Sequence, residues 1–226
     1  KGYRYGEVAI LARLYRLMPL IEATMIKAGI PYSSLSGFLY ERRDMKTAIA
    51  VVKFLLNASP GETLDLDFLN RIRTDLYAHH EKIDLKAASE IAFSYVMLNR
   101  EGENLDEDEL TVKRTYLDAL EYLVTPHKDL GEFLAHVEKA QRANKSSPAG
   151  RVNLMTIHQA KGLEFKCVIV PGLNEGILPH VNSIEQVIMN IEEERRLMYV
   201  AMTRAMERLI ITYKRRTTGE PITVKS

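Results

Sequence analysis

Val152-Asn153-Leu154-Met155-Thr156-Ile157-His158-Gln159-Ala160-Lys161-Gly162-Leu163-Glu164-Phe165 passes from an apolar run directly into polar residues and a glycine. Val152 to Ile157 reads as a strand, and the polar residues follow it without a spacer. In parallel sheets, ligands meet the carboxyl ends of strands. Thr156, His158 and Lys161 therefore emerge where a phosphate could be met. An ordinary strand-to-helix connection with solvated polar residues accounts for the stretch equally well.

Outward from this stretch the chain keeps α/β order. Cys167 to Pro171 reads as a strand, Ile184 to Met206 as a long helix and Arg208 to Tyr213 as a final strand. At the other end, Val8 to Ala12 is a short apolar strand and Leu17 to Ala28 has helical spacing that Gly29 terminates. Pro31 forces an extended entry into Tyr32 to Leu35, Ser36-Gly37 turns the chain, and Met45 to Leu56 is again helical. Between them, residues 57 to 147 show helical patterns only: Leu64 to Tyr77, Leu85 to Asn99, Glu109 to Val124 and Leu130 to Ala143. The linker from Asn144 to Gly150 then leads back to α/β order. The expected architecture is one parallel-sheet α/β domain built from residues 1–56 and 148–226, with an all-helical subdomain, 57–147, inserted in its middle.

Composition narrows the function classes. The chain has 226 residues, 46% of them hydrophobic, enough for a substantial core. No apolar run approaches the roughly 18 residues that cross a bilayer, and Lys1 to Tyr5 opens without a signal-peptide core. The single cysteine, Cys167, excludes an internal disulfide and reads as a small buried hydrophobe in a reducing compartment, so a soluble, cytoplasmic protein is expected. The net charge of +1 conceals a polarised chain: residues 1–56 hold 9 Lys+Arg against 4 Asp+Glu, 57–147 hold 11 against 18, and 148–226 hold 11 against 8. A polyanion is attracted to the two ends.

Other candidates divide by context. Glu192 and Arg196 stand at the favourable i,i+4 order for helix support. Leu197, Ala201 and Arg204 share one helix face, so a guanidinium interrupts an apolar stripe and needs a partner if buried; snorkelling to solvent is the other reading. Arg13 directly follows the strand Val8 to Ala12, where a surface ion pair is the simpler account. No G-x-x-x-x-G-K-[ST] occurs, so the chain by itself is not expected to hydrolyse ATP. Asp106-Glu107-Asp108-Glu109 follows a polar loop and suits a helix N-terminus better than a metal. His79-His80 lacks further ligands at zinc-like spacing, and no metal site is expected.

Two stretches together resemble a known family. Thr156-Ile157-His158-Gln159-Ala160-Lys161-Gly162-Leu163-Glu164-Phe165 resembles motif V of the UvrD/Rep/PcrA-type superfamily 1 DNA helicases, and Glu193-Glu194-Arg195-Arg196-Leu197-Met198-Tyr199-Val200-Ala201-Met202-Thr203-Arg204-Ala205 resembles their motif VI. Val170-Pro171-Gly172-Leu173-Asn174-Glu175-Gly176-Ile177-Leu178-Pro179, between them, also resembles the family. Near the start, Val8-Ala9-Ile10-Leu11-Ala12-Arg13 and Ala28-Gly29-Ile30-Pro31-Tyr32 are similar to the motif IV region, and Tyr40 to Lys46 to the segment after it.

The resemblance implies a RecA-like (P-loop NTPase-like) second motor domain, 2A, of an ATP-dependent 3′–5′ DNA helicase acting in repair, replication or recombination. In the family, the arginines matching Arg13 and Arg204 reach the ATP γ-phosphate, and the glutamate matching Glu164 lies by the nucleotide. Residues matching Thr156 and His158, and with them Lys161, face the single-stranded DNA track. ATP and Mg2+ are expected to be held mainly by an N-terminal motor domain of the same full-length chain, and the DNA partner to be single-stranded and partly duplex. Three departures stand out. Ala12 occupies a position where several members carry an adenine-stacking aromatic; the 2B-like insertion is shortened and lacks the Gly-Ile-Gly duplex-contact motif; and that insertion is acidic. Two alternatives follow from the same residues: the helicase region of a RecB- or AddA-like helicase-nuclease, or a degenerate helicase domain serving as a protein-interaction module.

Overall fold

The computed structural model describes all residues except Lys1, Ser36, 79–82, 99–106, Ser146, 181–186 and 214–226. Asp106, His79 and His80 of the sequence candidates lie outside the described residues.

Five strands form one sheet: β1 (Val8–Ala12), β2 (Tyr32–Ser34), β3 (Val152–Thr156), β4 (Phe165–Val170) and β5 (Ala205–Ile211), in the order β2-β3-β1-β4-β5. The pairings of β1 with β4 and of β4 with β5 are parallel, so the expected α/β fold with a parallel sheet is present. By internal contacts the chain divides into two compact units, Lys1–Leu14 with Leu154–Ser226, and Tyr15–Asn153.

In the first unit, the apolar strands place Ala9 and Leu11 of β1 and Val168 and Val170 of β4 in a core with Met155, Ile157, Ala160 and Leu178. Leu197 and Ala201 of the long helix, here α7 (Val187–Thr203), complete it. Full burial of each larger aliphatic side chain contributes about 1.5–3 kcal/mol. Cys167 is buried, as expected. Helical spacing carries on to Met206, yet α7 stops at Thr203 and β5 starts at Ala205. The main chain shows why: Arg204 O accepts from Phe165 N at 2.9 Å, so the ladder with β4 overrides the local preference of Ala205, Met206 and Glu207 for helix. The β4–β5 register slips between Phe165 and Cys167, one residue past that bond.

Among the described residues the second unit holds six α-helices: α1 (Met18–Lys27), α2 (Arg43–Leu55), α3 (Leu66–Ala78), α4 (Leu85–Leu98), α5 (Glu107–Val124) and α6 (Leu130–Ala143). Gly29, at φ 67°, ends α1 in the left-handed conformation expected of it, with Ile30 N donating to Met25 O at 2.9 Å. α2 packs on α4 and α5, and α1 on α5. The compact units therefore divide the chain elsewhere than at residues 56/57 and 147/148. α1 and α2, whose Ala23, Ile26, Val51 and Leu55 are buried, pack on helices of 57–147 and group with them.

One buried polar cluster ties this unit together. Glu22 of α1 is fully buried and accepts from Tyr32 Oη at 2.6 Å and from Arg42 Nη2. Arg42, at the start of α2, also donates to Tyr116 Oη of α5, and Tyr32 Oη accepts from Leu39 N at 3.1 Å. The hydrogen bond from Arg42 to Tyr116 thus links this ion pair across the expected boundary.

Candidate functional site

Arg13 leaves the carboxyl end of β1, where its charge meets a partner that the sequence does not announce. Its Nε donates to Glu194 Oε1 and Oε2 at 3.2 and 3.1 Å, and its Nη2 to Oε1 at 2.7 Å. The Glu194 side chain is 4% exposed and that of Arg13 19%. His180 N donates to Glu194 Oε2 at 3.3 Å, so the carboxylate is held from a second side. A charge this buried persists only when paired and hydrogen-bonded, which is the arrangement here.

The helix pairing expected between Glu192 and Arg196 is not the one formed. Glu192 instead accepts from Arg195 at 2.6 Å, one residue closer, and Arg196 is exposed. The important carboxylate on this helix is Glu194, which sequence reasoning missed. Its signal was available: Glu194, Leu197 and Ala201 fall at i, i+3 and i+7, so the stripe that drew attention to Arg204 extends backward to a carboxylate.

Arg204 lies just past α7, and its partners are neutral. Nε donates to Val200 O at 3.2 Å, Nη1 to Leu163 O at 3.0 Å and Nη2 to Thr203 Oγ1 at 3.2 Å. No carboxylate pairs with it among the described residues. Three oriented acceptors fix the fork without cancelling its charge. Arg204 stands ten positions beyond Glu194, about 15 Å along a helix.

The turn after β3 is built by its own sequence. Gln159 N donates to Thr156 Oγ1 at 3.3 Å and Thr156 N to Gln159 Oε1 at 2.8 Å, a reciprocal capping arrangement in the T-x-x-Q pattern. Ala160 N donates to Thr156 O and Ile157 O, and Leu163 N to Ala160 O at 3.0 Å. Gly162, at φ 86°, supplies the reversal. His158, Lys161 and Glu164 stand exposed on this turn with no side-chain hydrogen bond or ion pair among the described residues. The Thr156 hydroxyl, engaged as an acceptor, keeps its own proton available for donation. Ala12 is fully buried.

Chemically, the first unit presents one oriented cation paired to a buried carboxylate, Arg13, and one held only by neutral acceptors, Arg204. An exposed turn carrying His158, Lys161 and Glu164 joins the second of these through Leu163 O. Such a surface suits a polyanion or a phosphoryl group. Among the described residues no group of three or more His, Cys, Asp or Glu could hold a metal ion.

Residues 105–216 match the UvrD-like helicase C-terminal domain. The chain as a whole is similar to the ATP-dependent DNA helicase PcrA of Staphylococcus epidermidis, 25% identical over 269 residues, covering 93% of this chain and 37% of the relative. DNA helicase II of Rickettsia typhi is 27% identical over 266 residues, covering 93% of this chain and 40% of the relative. The ATP-dependent DNA helicase Rep of Buchnera aphidicola subsp. Schizaphis graminum is 59% identical over 66 residues, 29% of this chain and 10% of the relative. The chain thus spans 37% and 40% of the length of the first two of these relatives. Those alignments run longer than the 226 residues of this chain, so both relatives carry segments that it lacks.

Proposed function

We propose that this chain is the C-terminal motor region of an ATP-dependent 3′–5′ DNA helicase. In this reading it closes on a second motor domain across bound ATP and ratchets single-stranded DNA. The single observation that carries the proposal is Arg204: a guanidinium fixed by three neutral acceptors, with no carboxylate to quench it among the described residues, in the segment that matches the UvrD-like domain.

As the terminal phosphate bond breaks, negative charge grows on the phosphoryl oxygens, and Arg204 meets it with a charge already oriented. Arg13 adds a second cation to that charge, and Glu164 lies by the nucleotide. Thr156, His158 and Lys161 meet phosphates of single-stranded DNA, contacts that position the strand without reading its sequence. Mg2+ supplies further neutralisation of the phosphates when bound. Its ligands and most ATP contacts are assigned to the N-terminal motor domain. Residues 1–56 and 148–226 form domain 2A in this scheme, and 57–147 a shortened 2B-like insertion. The protein works in the cytoplasm on partly duplex DNA; no helix among the described residues is long and apolar enough to cross a membrane.

The test is single-stranded-DNA-stimulated ATP hydrolysis by the protein that carries this chain. Arg204→Ala is expected to lower kcat roughly 10³- to 10⁵-fold with DNA affinity retained. Absence of DNA-stimulated hydrolysis in the wild type would overturn the proposal.

A further inference from the structure

We infer that Glu194 is the positioning residue for Arg13: a buried carboxylate that aims the guanidinium outward for phosphate contact. The inference rests on the nucleotide-handling role proposed above and goes beyond it by assigning a function to a residue of α7 that touches no substrate.

The geometry of the pair is specific. A guanidinium has five N–H donors in a planar fork. Glu194 takes the Nε edge and one Nη2 proton, at 2.7 to 3.2 Å. Both protons of Nη1 and one of Nη2 remain, and no other side-chain partner of Arg13 occurs among the described residues. The carboxylate thus grips the inner edge of the fork and leaves the outer edge for a second acceptor. A phosphate needs that outer edge, because bidentate recognition uses two parallel N–H groups.

The carboxylate itself cannot follow the arginine. Glu194 sits on the helix face that also buries Leu197 and Ala201, and His180 N donates to it from the loop before α7. Desolvation keeps the pair together, since separating it strands a buried charge. Arg13 alone, on a short segment after β1, has several rotatable bonds between its backbone and its charge. The pairing, 181 residues apart in sequence, removes that freedom before any phosphate arrives.

DNA-stimulated ATP hydrolysis by the protein that carries this chain tests the assignment, with wild type, Arg13→Ala, Glu194→Gln, Glu194→Asp and the double variant Arg13→Ala/Glu194→Gln compared at equal far-UV circular dichroism. Glu194→Gln is expected to lower kcat on the order of 10²-fold, the effect of misplacing a reacting partner by about 1 Å. The KM for ATP and the affinity for single-stranded DNA should stay unchanged. The double variant should be no slower than Arg13→Ala, because Glu194 acts only through Arg13. Glu194→Asp, which keeps the charge, should recover part of the loss. In the chain itself, the Arg13 Nε–H nuclear magnetic resonance signal should shift upfield in Glu194→Gln as its carboxylate acceptor is lost.

If Arg13→Ala abolishes turnover while Glu194→Gln leaves kcat intact or raises it, the positioning role is overturned and the helicase reading stands. If the two losses multiply in the double variant, Glu194 acts by general stability and the inference is likewise overturned. If wild type shows no DNA-stimulated hydrolysis, the helicase reading fails and takes this inference with it.

Discussion

Arg42 Nη2 and Glu22 Oε1 form an ion pair whose carboxylate is wholly withdrawn from solvent, and Tyr32 Oη donates to the other oxygen of that carboxylate at 2.6 Å. Such a pair adds little stability over a well-packed apolar substitute, but losing one member leaves the other charge stranded. Arg42→Met is therefore expected to destabilise the fold by about 3–5 kcal/mol, read by urea denaturation. The double variant Arg42→Met/Glu22→Met should recover most of the loss. A single variant as stable as wild type would contradict the buried pairing.

The same site fixes a pH dependence. Burial raises the Glu22 carboxyl above its usual 4.5, and Arg42 opposes that rise. In Arg42→Met the opposition is gone, so the folded form of that variant binds its proton more tightly than the unfolded form. Its stability deficit should then shrink as pH falls through the raised value toward 4.5, where the unfolded carboxyl also protonates. A deficit that grows on acidification would reverse the assignment.

On the surface of the first unit the sign is opposite. The Lys166 ammonium, bonded at 2.8 Å, and the Arg4 backbone N–H hold the Glu7 carboxyl down at about 2. Any stability it contributes is complete above the unfolded value of 4.5 and is lost as pH falls toward 2. Carboxyl titration by nuclear magnetic resonance should show Glu7 still ionised near pH 3, and Lys166→Met should move its midpoint up toward 4.5. An unmoved midpoint would mean that Lys166 does not hold Glu7 in solution.

The turn after β3 offers two separable substitutions. Thr156→Ala removes the acceptor for Gln159 N and should cost about 1 kcal/mol, while Thr156→Ser should be nearly neutral. Gly162→Ala meets no neighbour within 4 Å, so its cost comes from the backbone at φ +86° alone, about 1–2 kcal/mol. Thermal unfolding of the three variants distinguishes the cap from the reversal. Equal effects of Ala and Ser at 156 would exclude the cap.

Where the sequence was legible, a local signal and the fold agreed. β1 and α6 have the bounds expected of them, and Gly29 ends α1 as its φ requires. The arginine at the end of β1 could be singled out because its position follows from the strand alone. What could not be read locally was the identity of its partner: Glu194 is 181 residues away, and nothing in the triplet Glu192-Glu193-Glu194 names the member that turns inward until the apolar face is extended to it. The end of α7 failed for a related reason. Ala205, Met206 and Glu207 favour helix by themselves, and only pairing with β4 makes them a strand.

Leu163 O is the acceptor for Arg204 Nη1, and the next strand begins two residues later with Phe165 N bonded to Arg204 O. Arg204 is therefore riveted to the same short strut through its side chain and through its backbone. His158 and Lys161 ride on the near end of that strut, in the turn that closes at Leu163. A displacement of Leu163 in that turn is therefore expected to carry the Arg204 guanidinium with it, because side chain and backbone are both tied there.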